Sequence, residues 1–260
     1  MDLNLTGKTA VVTGASQGIG LATVRTLVGE GVRVAGAART ITPELQETGA
    51  YTVSADLSTA EGVSAFIDSA LAELGGIDLL VNNVGRSTDD TTIAFPDIDD
   101  TVWTGMFDIN VLSAVRATRA ALPSLTERRG AIVNISSIAA RLPTGGSIAY
   151  AAAKAALTAL GKSLAEEFGP RGVRVNTVSP GAVRTAIFED PDGPVAKAAA
   201  AAGMSIAELV QQVPQIQNIT TGRMTEPDEV AALIAFLLSD VAGNITGADY
   251  AINGGAIKAV

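Results

Sequence analysis

Tyr150 and Lys154 stand four residues apart and form the most suggestive acid–base pair in this sequence. The chain contains no histidine and no cysteine, which excludes a serine–histidine–aspartate relay, an imidazole metal site and a thiolate nucleophile. A tyrosine phenol has a pKa near 10, so proton transfer at neutral pH needs a nearby group that lowers this pKa. On a helix, an ammonium at position i+4 lies on the same face and supplies that field. The same two residues could also be mere surface neighbours, so other motifs must decide.

Composition favours a large α/β protein and excludes several other classes. With 260 residues and 47% hydrophobic content, the chain can bury a core as one α/β domain or two small ones. A formal net charge of −9 argues against nucleic-acid or anionic-membrane surfaces. The first residues lack the basic and apolar regions of a signal peptide, and no apolar run approaches the ~18 residues of a membrane span. We expect a soluble cytoplasmic protein that binds neither nucleic acid nor membrane.

Short β-forming runs alternate with longer helical patterns along the whole chain. Most of these runs are continuously apolar, as in parallel strands that are buried on both faces. This alternation predicts a single domain, residues 1–260, built on a Rossmann-type doubly wound parallel sheet. The predicted strands cover residues 8–13, 32–37, 51–55, 77–82, 130–136, 173–179 and 249–252.

Two segments between the predicted strands stand out. Residues 147–168 predict a helix rich in alanine and glycine, which would let another helix pack closely, within the chain or across a dimer. From residue 186 to residue 222 the pattern becomes irregular, with three prolines and an alanine run. A long irregular insertion in a compact domain is usually functional, so we expect a substrate lid there. Four further residues are expected to shape the pocket: Leu142, Pro143, Gly145 and Gly146.

A glycine-rich turn follows the first predicted strand and opens the first predicted helix. Gly14, Gly18 and Gly20 would let the backbone approach a phosphate seated on the helix N-terminus. Their spacing, G-x-x-x-G-x-G, differs from the common G-x-G-x-x-G fingerprint, and a tight turn without a ligand also needs glycine. The position of the turn, directly after the first strand, favours phosphate binding.

Arg39, at the end of the second predicted strand, discriminates between NAD and NADP. An acidic residue about 20 positions after the glycine turn would hold the ribose 2′-hydroxyl of NAD, but no Asp or Glu follows before Glu44. A guanidinium suits the 2′-phosphate of NADP, which it can hold with two hydrogen bonds. The sequence therefore favours NADP(H), with NAD(H) and a merely solvated arginine as the alternative. Asp56 could accept the adenine amino group or, with Ser58, cap the next helix.

Together these motifs resemble the short-chain dehydrogenase/reductase family over essentially the whole chain. The turn that ends at Gly20 matches its T-G-x-x-x-G-x-G, and residues 82–85 match its N-N-A-G except for Val84. Ser137 lies 13 residues before Tyr150 (150 − 137), as in the family's Ser…Y-x-x-x-K. Residues 180–185 match the segment that holds the nicotinamide carboxamide, and residues 245–255 resemble the last strand and tail. One departure is Gln17, where many NADP-preferring members carry a basic residue.

The resemblance implies a catalytic tetrad of Asn110, Ser137, Tyr150 and Lys154. Tyr150 would protonate the substrate carbonyl oxygen as the nicotinamide delivers hydride, and would act as base in the oxidising direction. Lys154 would hold the nicotinamide ribose and lower the pKa of the tyrosine. Ser137 would donate to the developing alkoxide, and Asn110 would fix a water linked to Lys154. Each has a plain alternative, since Ser137 could cap a turn and Asn110 could satisfy a helix backbone group.

The resemblance also implies a set of cofactor-binding residues and no metal site. They surround the glycine turn, the ends of the second, third and fourth strands, the tetrad and the segment after the sixth strand. The expected set is Gly14, Ser16, Gln17, Gly18, Ile19, Gly20, Arg39, Asp56, Leu57, Asn83, Gly85, Tyr150, Lys154, Pro180, Gly181, Val183 and Thr185.

The function that this implies is hydride transfer between NADP(H) and a ketone or secondary alcohol. An NAD-dependent secondary alcohol dehydrogenase is the alternative enzyme, and a non-catalytic dinucleotide-sensing protein is a less favoured alternative of another class. A 3-oxoacyl carrier-protein reductase is one specific version, in which Arg128, Arg129 and Arg171 could contact an acidic carrier. Because family members are commonly tetramers, we expect a homo-oligomer, either a tetramer or a dimer.

Overall fold

Seven parallel strands form one sheet in the order β3-β2-β1-β4-β5-β6-β7. The structure is a computed structural model that describes residues 2–87, 94–143 and 147–258. The strands are β1 (Thr9–Thr13), β2 (Arg33–Ala38), β3 (Tyr51–Ser54), β4 (Leu79–Asn82), β5 (Ala131–Ile135), β6 (Arg174–Pro180) and β7 (Asp249–Ile252). All seven predicted strands are present, and their ends differ from the prediction by at most two residues.

Helices cover both faces of this sheet. They are α1 (Gly18–Gly29), α2 (Pro43–Gln46), α3 (Ala60–Leu74), α4 (Asp100–Phe107), α5 (Ser113–Glu127), α6 (Ile148–Phe168), α7 (Pro194–Ala201), α8 (Ile206–Ile216) and α9 (Pro227–Leu238). The side chains of β1 alternate between the two faces, as the two-residue period of a strand requires. Ala10 and Val12 join the core layer under α1 and α9, whereas Val11 joins the layer under α3, α5 and α6.

The strand order reverses at β1, which has β2 on one side and β4 on the other. In open α/β sheets a ligand binds beyond the carboxyl ends of the strands at such a switch point. The turn at Gly14 and the segment at Asn83 follow β1 and β4, so both lie at this edge. The fold therefore places the glycine turn where a dinucleotide is expected.

The segment from residue 186 to residue 222 contains more regular structure than its sequence pattern indicated. A 3₁₀ turn at Ala186–Phe188 is followed by the helices α7 and α8. Pro194 opens α7, where its missing N–H costs no hydrogen bond. Ser205 and Glu208 form a reciprocal capping box at the start of α8. These local signals outweigh Pro214, which lies in the last turn of α8.

Two further observations concern the part of the chain that the structure describes. None of its helices is long and apolar enough to cross a membrane. It also contains no group of three or more acidic side chains arranged to hold a metal ion. Gly145 and Gly146, which were expected to shape the pocket, lie outside the described residues.

Candidate functional site

The glycine turn between β1 and α1 brings three segments close together. Gly14 and Gly18 have positive φ angles of 68° and 54°, which side chains other than glycine rarely adopt. A Cβ on Gly14 would lie 2.9 Å from Cα of Val84, and one on Gly18 would lie 3.0 Å from Cγ2 of Thr185. The turn therefore forms a cradle with the segments that follow β4 and β6.

The N-terminus of α1 faces this cradle with free backbone donors. Gln17 is the N-cap residue, and among the described residues no side chain caps this helix end, nor does its first turn hold an acidic residue. Unpaired N–H groups at a helix N-terminus, approached by backbone alone, fit the pyrophosphate of a dinucleotide. Ile19 is only partly buried and packs against the core, so its backbone is the part that can meet a phosphate.

Asn83 lies at the turn but uses its side chain to build it. Its Nδ2 donates to the backbone oxygens of Thr13 and Gly14, both at 2.9 Å. The hydroxyl of Thr13 in turn accepts from the backbone N–H groups of Asn83 and Val84, at 2.9 and 3.0 Å. The side-chain amide of Asn83 thus joins β4 to the turn, and the expected contact of Asn83 with the cofactor stays a prediction. Thr13 was not singled out as a site residue, although a threonine directly before the first glycine of the turn is visible in the sequence.

Arg39 lies exposed at the carboxyl end of β2. Among the described residues, its guanidinium has no hydrogen-bond or ion-pair partner. Ser16 holds this loop against the glycine turn, because its hydroxyl donates to the backbone oxygen of Thr40 at 2.5 Å. The hydroxyl of Thr42 donates back to the backbone oxygen of Ser16 at 3.0 Å. The site therefore offers an available cation next to the glycine turn.

Asp56 forms a turn before α3 and does not cap that helix. Its Oδ1 accepts from the hydroxyl and the backbone N–H of Ser58, at 2.7 and 3.0 Å. These hydrogen bonds lower the pKa of the Asp56 carboxyl, and the charge of Arg39 adds to the effect. Thr59 is the cap, accepting from the N–H of Gly62 at 3.0 Å. Leu57 is buried in the core, so only its backbone can meet a ligand.

Tyr150 and Lys154 lie one turn apart at the start of α6, as their spacing predicted. Ser147 caps this helix and accepts from the backbone N–H of Tyr150 at 3.4 Å. Lys154 is only 3% exposed, and its Nζ donates to the backbone oxygen of Ile135 at 2.8 Å. Burial lowers the pKa of this ammonium to about 8. The same Nζ lies 5.7 Å from the centroid of the Tyr150 ring.

The pKa of Tyr150 shifts upward, contrary to the expectation that Lys154 would lower it. Burial of the phenol is the larger effect and raises its pKa, because a phenolate is poorly solvated there. The nearby Ser137 hydroxyl acts in the opposite direction and is the smaller effect. In this structure Tyr150 is therefore a neutral phenol at neutral pH, which is the form that donates a proton.

Ser137 takes the capping role that was its plain alternative, and its role toward a substrate oxygen stays a prediction. It caps the 3₁₀ turn Ile138–Ala140, where its Oγ accepts from the backbone N–H of Ala139 at 3.1 Å. The same hydroxyl lies near the Tyr150 phenol and acts to lower its pKa. Capping and proximity to the phenol are therefore compatible, and the cap fixes where the hydroxyl points.

Asn110 lies in a one-turn π-helix, Asp108–Leu112, at the junction of α4 and α5. Such turns occur frequently at functional sites. The side chain is 1% exposed, and its Nδ2 donates to the backbone oxygens of Arg86 and Met106, at 2.9 and 3.0 Å. Its Oδ1 accepts from the backbone N–H of Arg86 at 3.2 Å. Its plain alternative, pairing backbone groups, is therefore observed.

Gly85 shows that Asn110 and Lys154 converge on one point. A Cβ on Gly85 would lie 2.6 Å from Oδ1 of Asn110 and 3.0 Å from Nζ of Lys154. The two side chains come from different elements and meet only because residue 85 has no side chain. The structure thus brings all four predicted tetrad residues to the edge beside the glycine turn.

The predicted nicotinamide segment follows β6 and is held mainly through its backbone. Pro180 ends the strand, and the N–H of Gly181 donates to the backbone oxygen of Ile252 at 2.9 Å. Val183 is buried and forms an isolated parallel bridge with Thr225. Further along, the methyl group of Thr185 reaches the glycine turn at Gly18.

Comparison with known proteins agrees with this arrangement. Residues 8–192 match the short chain dehydrogenase family. The chain belongs to that family. It is 33% identical, over 97% of its length and 98% of the relative's, to a 3-oxoacyl-[acyl-carrier-protein] reductase of Vibrio cholerae. It is 34% identical to 3beta-hydroxysteroid dehydrogenase 1 of Eggerthella lenta, over 97% of this chain and 94% of that protein.

Among solved structures, L-sorbose reductase of Gluconobacter frateurii, complexed with NADPH and L-sorbose, superposes with a TM-score of 0.90. The two chains are 31% identical, and the match covers 100% of each. The similarity therefore extends over the whole of this short-chain dehydrogenase, including the α7–α8 region.

The three arginines considered for carrier binding lie away from the tetrad within one chain. Arg128 and Arg129 directly precede β5, and Arg171 closely precedes β6, so they lie at the amino ends of the strands. The guanidinium of Arg128 donates to the backbone oxygen of Gly75 at 2.9 Å, and that of Arg171 stacks on Phe168 at 4.1 Å. Ser137 and the other tetrad residues lie at the opposite edge of the sheet.

Proposed function

We propose that this short-chain dehydrogenase transfers a hydride between NADP(H) and a ketone or secondary alcohol, with Tyr150 as general acid and base. The supporting observation is that Asn110, Ser137, Tyr150 and Lys154 converge beside a phosphate-binding turn. The bound cofactor would supply the hydride. The intact tetrad argues against a non-catalytic dinucleotide sensor.

Side chains of this protein account for the proton transfer in the proposed reaction. The raised pKa of Tyr150 keeps its phenol protonated at neutral pH, ready to give a proton to a carbonyl oxygen that gains negative charge. Ser137 lies near the phenol and can donate to the same oxygen. Lys154 places a buried positive charge near the ring, which stabilises the phenolate left after proton transfer. Asn110 holds the backbone of Arg86 beside the ammonium.

The cofactor preference rests on Arg39. Its exposed guanidinium, without a partner among the described residues, lies next to the glycine turn and suits a 2′-phosphate. The NADPH complex of the similar L-sorbose reductase supports the same choice. NAD(H) is the alternative.

The substrate is proposed only as a class, a small uncharged carbonyl compound. The named relatives act on carrier-bound 3-oxoacyl groups, hydroxysteroids or L-sorbose, so the chemistry rather than the substrate is common to them. Ile187 and Ile216 are 42% and 59% exposed in the predicted lid, residues 186–222, which supports an apolar partner. A carrier-bound 3-oxoacyl substrate is a second candidate, favoured by the Vibrio cholerae relative. Within one chain, however, the candidate carrier-binding arginines lie at the opposite edge.

We also propose a homo-oligomer that uses the outer face of α6. Ala155 and Ala159 are exposed on this helix, and Ile148 at its start is 47% exposed. Small and apolar side chains on one helix face suit close packing against a second copy. Light scattering coupled to size-exclusion chromatography measures the assembly directly.

Titration and one conservative substitution test the function. NADPH and NADH are titrated separately, with quenching of Trp103 fluorescence as the readout, and a carbonyl panel follows with the better cofactor. Tyr150→Phe should abolish reduction and leave NADPH affinity within about twofold. Tyr51→Phe is the matched control. Tyr51 lies in β3, at the edge of the sheet and away from the predicted tetrad, and its hydroxyl hydrogen-bonds Ser69. Turnover of Tyr150→Phe within about tenfold of the wild type, ~1.4 kcal/mol of barrier, would contradict the assignment.

A further inference from the structure

Arg141 ends the segment that carries Ser137, and its guanidinium reaches the last strand of the sheet. Its Nη2 lies 2.6 Å from Oδ2 of Asp249 and also donates to the backbone oxygen of Asp249 at 3.1 Å. The Asp249 side chain is 11% exposed and that of Arg141 is 45% exposed. A single arginine thus links the segment after β5 to the start of β7.

The second carboxylate oxygen of Asp249 contacts β6. Oδ1 accepts a hydrogen bond of 2.6 Å from Oγ of Ser179, which is fully buried. Ser179 directly precedes Pro180 and Gly181, where the predicted nicotinamide segment begins. One carboxylate therefore joins the Ser137 segment to the nicotinamide segment. Hydrogen bonds to an ionised partner are shorter and stronger than neutral ones, which suits a rigid link.

The backbone between Ser137 and Arg141 is short and internally hydrogen-bonded. The N–H of Arg141 donates to the backbone oxygen of Ile138 at 2.9 Å, and the N–H of Ala139 donates to Oγ of Ser137 at 3.1 Å. Because these hydrogen bonds connect the two ends of the 3₁₀ turn, we expect a displacement at Arg141 to move the Ser137 hydroxyl as well. That hydroxyl lies near the phenol of Tyr150 and acts to lower its pKa.

We propose that Arg141 and Asp249 are positioning residues that hold Ser137 in place for hydride transfer. The inference rests on the proposed function and extends it. Arg141 acts through Ser137, not as a proton donor. Without the guanidinium, Asp249 keeps only the Ser179 hydroxyl as a side-chain partner among the described residues. The far end of the Ser137 turn then loses its anchor.

Single substitutions test this positioning role. Arg141→Ala should lower kcat about tenfold or more, with NADPH affinity within about twofold of the wild type. Arg141→Lys should recover most of kcat, because an ammonium can still contact Oδ2 of Asp249. Asp249→Asn, nearly isosteric, should lower kcat in the same direction. Lys8→Ala is the control, since it breaks a comparable 2.9 Å pair with Asp240 at the amino ends of the strands. It should leave kcat unchanged even if it lowers the melting temperature.

A double substitution separates positioning from general stabilisation. In a Ser137→Ala background, measured by single-turnover NADPH oxidation, Arg141→Ala should cause little further loss, because Arg141 acts through Ser137. An equal fold-loss in both backgrounds, or an unchanged kcat for Arg141→Ala, would overturn the proposal. A wild-type enzyme without NADPH-dependent carbonyl turnover would refute the proposed function itself. The ratio of kcat between Arg141→Ala and the wild type, by contrast, tests only the role of Arg141.

Discussion

Replacing Lys154 by methionine should make the ligand-free protein more stable while removing its activity. Lys154 is only 3% exposed, and this burial lowers the pKa of its ammonium from 10.5 to about 8. Methionine has a similar length and no charge, so it fills the same space without the desolvation cost. The lysine that the proposed chemistry requires therefore lowers the free energy of unfolding.

The size of the effect follows from the pKa and one hydrogen bond. A difference of 10.5 − 8 pKa units at 1.36 kcal/mol per unit makes the buried ammonium cost about 3 kcal/mol at pH 7. Methionine leaves the backbone oxygen of Ile135 without its Nζ donor, which costs about 1 kcal/mol. The net expectation is a gain of about 2 kcal/mol in the free energy of unfolding at pH 7.

The pH dependence has a defined sign. Between pH 8 and pH 10.5 the unfolded lysine binds a proton that the folded lysine has lost, so wild-type stability from this group rises with pH. The variant lacks this term. Its advantage should therefore be full below pH 8, shrink as the pH rises and disappear near pH 10.

Urea unfolding of both proteins at pH 7, 8, 9 and 10, at one fixed protein concentration, measures this difference. Lys162→Met is the control, because Lys162 lies exposed on the same helix and pairs with Glu166. Its difference from the wild type should not fade in the same pH window. A Lys154→Met protein less stable than the wild type at pH 7 would refute the reasoning, as would a difference that stays constant up to pH 10.

Two further substitutions test the cofactor preference at Arg39 and the close packing of Gly85 against the predicted tetrad. Arg39→Asp should weaken NADPH binding more than tenfold, about 1.4 kcal/mol, and should weaken NADH binding much less. Arg25→Asp, at an exposed position on α1, is the control and should affect the binding of neither cofactor. Equal losses of NADPH and NADH binding would argue against the role of Arg39. Gly85→Ala should lower kcat at least tenfold, because its Cβ would lie 2.6 Å from Oδ1 of Asn110. Gly105→Ala, whose Cβ meets nothing within 4 Å, should retain full activity.

The seven strands and the long helix α6 could be predicted because their signals are local. A continuously apolar run between turns specifies a buried parallel strand, and Ser147 marks the start of α6 as an N-cap. The spacing of Tyr150 and Lys154 likewise fixes their relation, since residues at i and i+4 share a helix face.

What could not be predicted depends on contacts between distant segments. The upward pKa shift of Tyr150 reflects burial, which no spacing of residues reports. The amide of Asn83 turned out to be occupied by Thr13 and Gly14, about 70 residues earlier in the chain. The link between Arg141 and Asp249 spans 108 residues and leaves no mark in either local sequence.

The contacts around the predicted tetrad and the predicted lid lie in separate parts of the protein. The predicted tetrad lies on the segment after β5, on α6 and on the π-turn. Lys154 and Asn110 are held by the backbone oxygens of Ile135 and Arg86. The burial of Lys154 lowers the stability of the fold. In return, polar groups that are already held in place need little rearrangement when a substrate binds. The α7–α8 segment carries none of these contacts, so it can vary without disturbing proton transfer. If the tetrad carries proton transfer as proposed, substitutions in residues 186–222 should change substrate preference, whereas substitutions in the tetrad should abolish turnover.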